Sequence, residues 1–164
     1  IVNVGAVFGL AGAPEKFPVD TALSRVHFTG NWIDSVNVSP YNGDARGILL
    51  LARARDISFV RNTWGPTGSW HRDFLVFDIG SGQTAVTNFR FEDNVMPIAQ
   101  YGVGATGVGE GTKALNAAVT GTWTFLNNTF IGASRNGYPA TTQWAGTLSA
   151  ALATGAGITQ RPVP

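Results

Sequence analysis

The sequence predicts an all-β protein built from stacked repeats, a solenoid, and three observations predict it. One nine-residue pattern occurs four times, and its asparagine recurs at intervals of 31, 32 and 34 residues, a period typical of repeat architectures. Within each copy, apolar and polar residues alternate in period two, which is typical of a half-buried strand. The 164 residues also include 21 glycines and only 13% charged residues, a composition that suits a turn-rich β protein.

The four copies of the pattern share one phenylalanine and one asparagine position. They span residues 25–33, 56–64, 88–96 and 122–130. The aligned columns are Phe28, Phe59, Phe91 and Phe125, and Asn31, Asn62, Asn94 and Asn128. In a stack of equal units equal residues meet, so the phenylalanines are expected to stack inside and the asparagine amides to bond to adjoining units. Both columns are therefore predicted to be a structural ladder that needs no ligand.

The asparagines are also expected to shape the turns, because asparagine takes the left-handed backbone conformation more cheaply than most residues. Short apolar runs between the copies, at residues 48–51, 74–79 and 101–103, predict at least one further strand in each repeat. Residues 1–10 are rich in β-branched residues and predict a strand that joins the sheet. Residues 147–153 are the best helix candidate, and we expect this helix to cover the last open rung.

The chain is predicted to be one domain of about four to five rungs. Residues 1–24 form an opening strand and loop, 25–131 form the repeat rungs, and 132–164 form a short C-terminal capping segment and tail. The chain begins at Ile1 without a methionine or a signal-peptide pattern. We therefore expect a mature product or a piece of a longer chain.

Composition argues against several classes of function. The formal net charge of +1 gives no electrostatic reason for a nucleic-acid partner. The absence of cysteine excludes disulfides, thiolate metal sites and a cysteine nucleophile. The apolar runs are too short to span a bilayer, so no membrane insertion is expected. The glycine-rich stretch at residues 102–107 matches a dinucleotide fingerprint by letter only, because residues 108–112 are not expected to start a helix.

The Phe-x-x-Asn turns, together with residues 89–97, 100–103, 107–112 and 123–128, resemble the right-handed parallel β-helix proteins of the pectate-lyase-like superfamily. The order of these segments is similar to the C-terminal rungs of large exported proteins from acidobacteria and related bacteria. The resemblance implies a right-handed parallel β-helix that is secreted or displayed on a bacterial cell surface. It also implies end-to-end stacking with other chains or with the remainder of its own chain.

Enzymes of that superfamily act on polysaccharides through clustered carboxylates, often with calcium, on the outward face of the strands. If this chain is such an enzyme, the best candidates are Arg90 and Glu92 with the cluster His71, Arg72 and Asp73. A glycosidase needs two carboxylates flanking the bond, and a calcium site needs several oxygen ligands together. Neither is visible in the sequence, although Asp78, Glu92 and Asp93 are able to converge in a fold. No metal or cofactor is predicted.

Aromatic side chains near loops give a second, binding interpretation. Trp64, Trp70, Tyr138 and Trp144 are candidate platforms for stacking on sugar rings, or else they seal loops and the end of the stack. The favoured function is a non-enzymatic extracellular module with a structural, adhesive or glycan-contacting role, as part of a larger assembly. The alternative is a polysaccharide lyase or glycoside hydrolase.

Overall fold

The computed structural model describes residues 2–4, 8–10, 23–36, 46–51, 54–65, 73–79 and 86–159, and most of its regular structure is β-strand. The all-β prediction is therefore confirmed. Two short helices accompany the strands, α1 at Thr112–Ala118 and α2 at Leu148–Leu152. In the part of the chain that the structure describes, no helix is long and apolar enough to cross a membrane.

The four copies of the nine-residue pattern form one parallel sheet. Its strands, in the spatial order β13-β9-β6-β3, are β3 (Leu23–Thr29), β6 (Ala54–Val60), β9 (Val86–Glu92) and β13 (Val119–Leu126). The register pairs Phe28 with Phe59, Phe59 with Phe91 and Phe91 with Phe125. The column of phenylalanines read from the sequence is thus a row of neighbours in the sheet.

Two further sheets contain the remaining strands. A six-stranded parallel sheet contains β1 (Val2–Val4), β4 (Trp32–Val36), β7 (Thr63–Trp64), β10 (Val95–Pro97), β14 (Thr129–Ile131) and β15 (Gln143–Ala145) in that order. A five-stranded sheet contains β2 (Phe8–Leu10), β5 (Arg46–Leu51), β8 (Asp73–Asp78), β11 (Val103–Ala105) and β12 (Gly109–Glu110). Only the pairing of β11 with β12 is antiparallel among these strands.

The chain visits the three sheets in a fixed rotation. From the six-stranded sheet it runs to the five-stranded sheet, then to the four-stranded sheet, and back. We call one such circuit a pass. Each new pass adds one parallel strand beside the strand of the previous pass, as in β3, β6 and β9. Residues about 32 positions apart in the sequence therefore lie side by side.

The asparagine column forms a continuous hydrogen-bonded ladder, as the sequence predicts. The Asn62 Oδ1 accepts from the backbone N and the Nδ2 of Asn31 at 3.0 and 2.8 Å. Asn94 accepts in the same way from Asn62, and Asn128 from Asn94, at 2.9–3.1 Å. Asn62, Asn94 and Asn128 are fully buried. The ladder thus supplies partners for backbone groups that would otherwise be unpaired at each turn.

The phenylalanine column forms the centre of the core. Phe28 stacks on Phe59 with ring centroids 4.8 Å apart, and Phe91 stacks on Phe125 at 5.2 Å. The two pairs meet through a tilted contact of 5.8 Å between Phe59 and Phe91. On β9, Arg90 is exposed while its neighbours Phe89 and Phe91 are buried, because successive side chains of a strand point to opposite faces.

The left-handed residue of each turn is not the asparagine, so that prediction is wrong. The residue before each asparagine has the positive φ: Gly30 at 65°, Arg61 at 55°, Asp93 at 54° and Asn127 at 53°. The asparagines themselves keep negative φ, because the side chain must point along the stack to reach the next asparagine. The bend of the turn is therefore made one position earlier.

The C-terminal helix is confirmed at α2, but its place differs from the prediction. Thr147 caps its N-terminus by accepting from Ala150 N at 3.1 Å. The helix packs against β10, β14 and β15, on the outer side of the six-stranded sheet, where Ala151 joins a small separate apolar cluster with Val95. The following segment continues along that side, where Ile158 N donates to Thr63 Oγ1 at 2.8 Å. The helix therefore covers the flank of the sheet and not only the last rung.

Two other details differ from the sequence prediction. The first ten residues contain two strands, β1 and β2, which join different sheets. A helix that the sequence did not predict, α1, begins at Thr112 directly after the glycine-rich stretch and buries Ala114, Leu115 and Ala118 in the main core. Burial of these side chains stabilises a helix of 7 residues, which would be marginal on its own.

Replacing Asn128 by leucine should cost about 1–3 kcal/mol of unfolding free energy. The variant leaves the Asn94 backbone N and the Phe91 carbonyl without their side-chain partners. Asn127→Gly is the matched control, because Asn127 is exposed and glycine accepts its positive φ. Urea denaturation measures both, and equal midpoints for Asn128→Leu and wild type would show that the ladder does not stabilise the fold.

The exposed Arg61 occupies a left-handed position, and its replacement is predicted to raise the stability of the protein. Arg61→Gly should stabilise the protein by about 0.5–1 kcal/mol, since glycine relieves the cost of a left-handed residue with a Cβ. Arg55→Gly, at an exposed extended position of β6, should instead destabilise by a similar amount. Thermal melts of the two variants test the assignment, which is contradicted if both substitutions destabilise equally.

Candidate functional site

The candidate site is a groove of about 420 Å³ on the outer face of the four-stranded sheet. Its side chains come from all four strands, so neighbouring passes contribute to it together. The buried side chains of Ile57 and Phe89 contribute to its lining. The other lining residues are eight polar ones and one half-buried indole: His27, Asp56, Ser58, Asn88, Arg90, Glu92, Thr122, Thr124 and Trp123. We refer to these nine residues as the outer groove.

A bend at the beginning of each repeated pattern shapes the outer groove. Arg25, Asp56 and Asn88 have φ values of 56°, 53° and 59°, and Gly121 has a φ of 79° at the matching place in β13. The pairing of β13 with β9 shifts register here, between Thr120 and Trp123. A left-handed residue within a strand bends it and re-aims the side chains around it. The polar residues on both sides of this bend line the groove.

The first row of the outer groove runs across the strands at the bend. Asn88 Nδ2 donates to Asp56 Oδ1 at 2.9 Å. Asn88 Oδ1 accepts from the Thr122 backbone N at 3.1 Å and from its hydroxyl at 3.3 Å. This row is an outer counterpart of the asparagine ladder, and its three exposed or half-buried side chains present hydrogen-bonding groups to the groove.

The second row contains His27, Ser58, Arg90 and Thr124, which the register places side by side. His27 Nδ1 lies 2.7 Å from Ser58 Oγ. A histidine bonded to a serine is one requirement of a serine nucleophile, but such a site also needs a group that orients the histidine and donors for an oxyanion. Among the described residues, no carboxylate is bonded to the His27 ring. The pair is therefore a polar contact on the groove wall.

Arg90 and Glu92 form an ion pair within one strand. Arg90 Nε and Nη2 both lie on Glu92 Oε2, at 2.7 and 2.6 Å, and Thr124 Oγ1 donates to Glu92 Oε1 at 2.6 Å. The bond from Arg90 holds the pKa of Glu92 below its ordinary value, against a partial burial that would raise it. Glu92 in turn raises the pKa of Arg90. Both groups are therefore stabilised in their charged forms.

The pKa of Glu92 is lowered and the pKa of Arg90 is raised. Acid–base cleavage of a polysaccharide requires the opposite shifts. A general acid carboxyl needs a raised pKa, and an arginine base needs a lowered one. The second carboxylate of the groove, Asp56, is bonded to Asn88, which lies four residues before Glu92 on β9. Four residues of a strand span about 13 Å of backbone, so Asp56 and Glu92 lie at different levels of the outer groove. The outer groove therefore lacks a paired acid and base.

The three carboxylates that the sequence left able to converge, Asp78, Glu92 and Asp93, do not form a metal site among the described residues. Asp78 ends β8 of the five-stranded sheet, whereas Glu92 ends β9 of the four-stranded sheet. Asp93 occupies the left-handed turn position, and its carbonyl accepts from Gly157 N. Across the described residues, no group of three or more histidine, aspartate or glutamate side chains is arranged to hold a metal ion.

Comparisons with known proteins do not identify the chain. No family model, curated protein or solved structure matches it. The functional argument therefore depends on the geometry of the outer groove and of the stack.

Trp64 cannot be one of the aromatic platforms for sugar stacking that the sequence suggested. Its side chain is fully buried, and the ring lies edge-on to Phe74 with centroids 5.2 Å apart, so it has no face to offer a sugar. Trp70, His71 and Arg72 lie outside the described residues. Asp73 begins β8, where its backbone pairs with Arg46, in a different sheet from Arg90 and Glu92.

Tyr138 and Trp144 are half-buried and pack on the core. Their ring centroids lie 5.0 Å apart, and both rings contact Phe130. The Tyr138 hydroxyl accepts from Ala99 N at 2.7 Å and donates to its carbonyl at 3.1 Å, and burial raises the pKa of Tyr138 to about 12. These contacts favour the alternative interpretation, in which the two residues seal the end of the stack.

Of the outer groove, the sequence analysis named only Arg90 and Glu92, and it missed the first row. Asp56, Asn88 and Thr122 occupy the first position of their copies of the pattern, so alignment alone could have found the row. Trp123 is half-buried, and its Nε1 donates to Asn116 of α1 at 3.2 Å. The contact depends on a helix that the sequence did not predict.

Acid should weaken the Arg90–Glu92 pair. Since the folded pKa of Glu92 lies below its unfolded value, the carboxylate stabilises the fold above about pH 4.5, and this contribution disappears as pH falls through the folded pKa. Wild type should melt above Glu92→Gln by at most about 2–4 °C near neutral pH. The difference should shrink as pH falls below the ordinary glutamate pKa and vanish once Glu92 is protonated in the folded protein.

Arg90→Ala is the companion variant, because Arg90 is the largest cause of the Glu92 shift. It should lose stability over the same pH window as Glu92→Gln. A wild-type advantage over Glu92→Gln that is constant from neutral to acid pH would contradict the assignment.

Proposed function

We propose that the chain is a right-handed parallel β-helix whose outer groove contacts a polysaccharide without cleaving it. Three features support the fold assignment: the three-sheet rotation, the parallel register of successive passes and the asparagine ladder. Right-handedness follows from the general rule that connections between parallel strands of one sheet are right-handed. The resemblance to exported bacterial β-helix proteins supports a place outside a bacterial cell, secreted or on its surface.

The observation that carries the non-enzymatic proposal is the Arg90–Glu92–Thr124 contact. It fixes the strongest charged groups of the outer groove in their ionised forms and occupies both oxygens of Glu92. A carboxylate whose proton affinity is reduced and whose oxygens are both bonded is poorly suited to proton transfer. The Arg90 side chain is still 57% exposed, so its outer N–H groups remain available to a ligand.

The polar rows favour a hydroxyl-rich ligand. Amide, hydroxyl and guanidinium groups repeat across the four strands, and the two acidic groups, Asp56 and Glu92, are partly balanced by Arg90. A groove that is near neutral and rich in hydrogen-bonding groups fits uncharged sugars better than polyanions. An extended glycan is able to follow the stack across successive passes.

A screen of the purified protein against neutral and uronic-acid polysaccharides, followed by calorimetric titration with the best ligand, tests this function. Arg90→Ala and His27→Ala should each weaken binding at least about tenfold, which corresponds to ~1.4 kcal/mol. Arg55→Ala, an exposed arginine of β6 outside the outer groove, is the control and should bind like wild type.

The same polysaccharides should remain intact. Release of unsaturated products or new reducing ends, abolished by Arg90→Ala, would overturn the non-enzymatic proposal and favour a lyase or hydrolase. Absence of binding across the whole panel would instead overturn the glycan-contacting role.

A further inference from the structure

Residues 136–139 pack backbone to backbone on two other segments of the chain, and we call these four residues the cover. A Cβ atom on Gly102 would overlap the Gly137 carbonyl oxygen, and one on Gly111 would lie 2.9 Å from the Tyr138 carbonyl oxygen. Both separations are shorter than those at which carbon and oxygen atoms pack. The cover therefore fits because glycines face it, and its backbone has no space to shift toward them.

The cover is held on the core by specific contacts. The Gly137 carbonyl accepts from Val103 N at 2.9 Å. The Tyr138 hydroxyl accepts from Ala99 N at 2.7 Å, and the Tyr138 ring lies 4.5 Å, centroid to centroid, from the buried ring of Phe130. A change in the length of the backbone directly before Gly137 displaces all of these contacts together.

Asn136, the first residue of the cover, is exposed and is followed by glycine. Gly137 lies in a bend with a φ of 90°. In the part of the chain that the structure describes, no group accepts a hydrogen bond from its backbone N. Glycine also has no Cβ to hinder the approach of this nitrogen to the preceding side chain. The Gly137 nitrogen is therefore accessible to the carbonyl carbon of the Asn136 side chain.

The other exposed asparagines of the described chain lack this combination. Asn88 is bonded to the strands on both sides of it, and Asn116 lies within α1. Asn127 precedes Asn128, which is buried and fixed in the ladder. Each of the three is also followed by a residue with a side chain, which hinders the approach of the backbone nitrogen. Asn136 is thus the most reactive of the exposed asparagines.

We propose that Asn136 is a modification site, where spontaneous deamidation produces mainly isoaspartate and releases the cover. Gly137 N loses its proton to hydroxide and bonds to Asn136 Cγ, while Nδ2 takes a proton from water and leaves as ammonia. The product is a five-membered succinimide ring. Water then adds to one of the two ring carbonyl carbons and opens the ring to aspartate or isoaspartate. The reaction consumes water, releases ammonia and involves no oxidation or reduction.

Isoaspartate disturbs the cover in two ways. Its main chain runs through the former side chain and is longer by one methylene group, directly before a backbone that has no space to shift. It also adds a carboxylate near Glu110, whose Oε2 would lie 2.6 Å from a Cβ atom on Gly137. The added length and the like-charge repulsion both favour a cover that is detached from Ala99 and Val103.

Ageing of the purified chain in mildly alkaline buffer tests the site. Peptide mass spectrometry should find deamidation of Asn136 at least about tenfold faster than that of Asn116, a difference of ~1.4 kcal/mol in activation free energy. Electron-based fragmentation should identify isoaspartate as the main product. The peptide map also separates this site from the Asn-Gly sequence at residues 42–43, which lies outside the described residues. Equal rates at Asn136 and Asn116 would overturn the proposal.

Hydrogen exchange tests the release of the cover. In aged protein the backbone N–H groups of Ala99 and Val103 should exchange at least about tenfold faster than in fresh protein. The N–H of Thr129, bonded to the Asn94 carbonyl, is the internal control and should not change. Aged Asn136→Gln should keep all three groups protected, because glutamine has to form a larger ring and reacts much more slowly.

Deamidation at position 136 without faster exchange at Ala99 and Val103 would contradict the release of the cover. Equal acceleration in aged Asn136→Gln would also contradict it, because another modification would then be the cause. Glycan binding in the outer groove is measured separately and does not depend on either outcome.

Discussion

The fold depends on one interaction, the side-chain amide of asparagine bridging two passes of the chain. The amides of Asn62 and Asn94 each accept two hydrogen bonds from the preceding pass. Each also donates to the Phe carbonyl of that pass and to the next asparagine, as Asn94 does with Phe59 and Asn128. Asparagine is suited to this position because a single amide has both acceptor and donor capacity. A buried turn of this kind without such a residue would leave backbone groups unpaired, at a cost of about 1–3 kcal/mol each.

The ladder also fixes what lies on either side of the sheet. A shift of one residue would exchange the inner and outer faces of every strand, so a ladder contact at each turn pins the register of the strands that flank it. Inside, this register puts Phe91 over Phe125. Outside, it puts Arg90 beside Ser58 and Thr124. The core and the outer groove are thus consequences of the same alignment.

Much of this architecture could be predicted from the sequence, because residues at equivalent positions of stacked repeats lie next to each other in the fold. The phenylalanine column pairs as the alignment predicts, and the asparagine column forms the predicted ladder. The turn was predicted one residue too late: asparagine tolerates the left-handed conformation, but here its side chain is required for the ladder, so the preceding residue makes the bend. The tolerance of asparagine for the left-handed conformation is real, but the ladder contact decides which residue of the turn adopts it.

The errors at single residues have the same kind of cause. Trp64 lies two residues after the ladder residue Asn62, in β7. Its side chain points into the core and packs against Phe74. The helix α1 begins among glycines and is stabilised by the burial of Leu115, which local propensity does not include. The row from Asp56 to Thr122 was missed because its members share a position in the repeat but no chemical type.

The most direct measurement of the central claim is hydrogen exchange of the asparagine side-chain amides by NMR. If the ladder exists, the Nδ2 protons of Asn62, Asn94 and Asn128 exchange far more slowly than those of the exposed Asn116 and Asn136, because they are buried and bonded to the neighbouring pass. Exchange of all five side chains at the same rate would contradict the ladder and the account of the fold that rests on it.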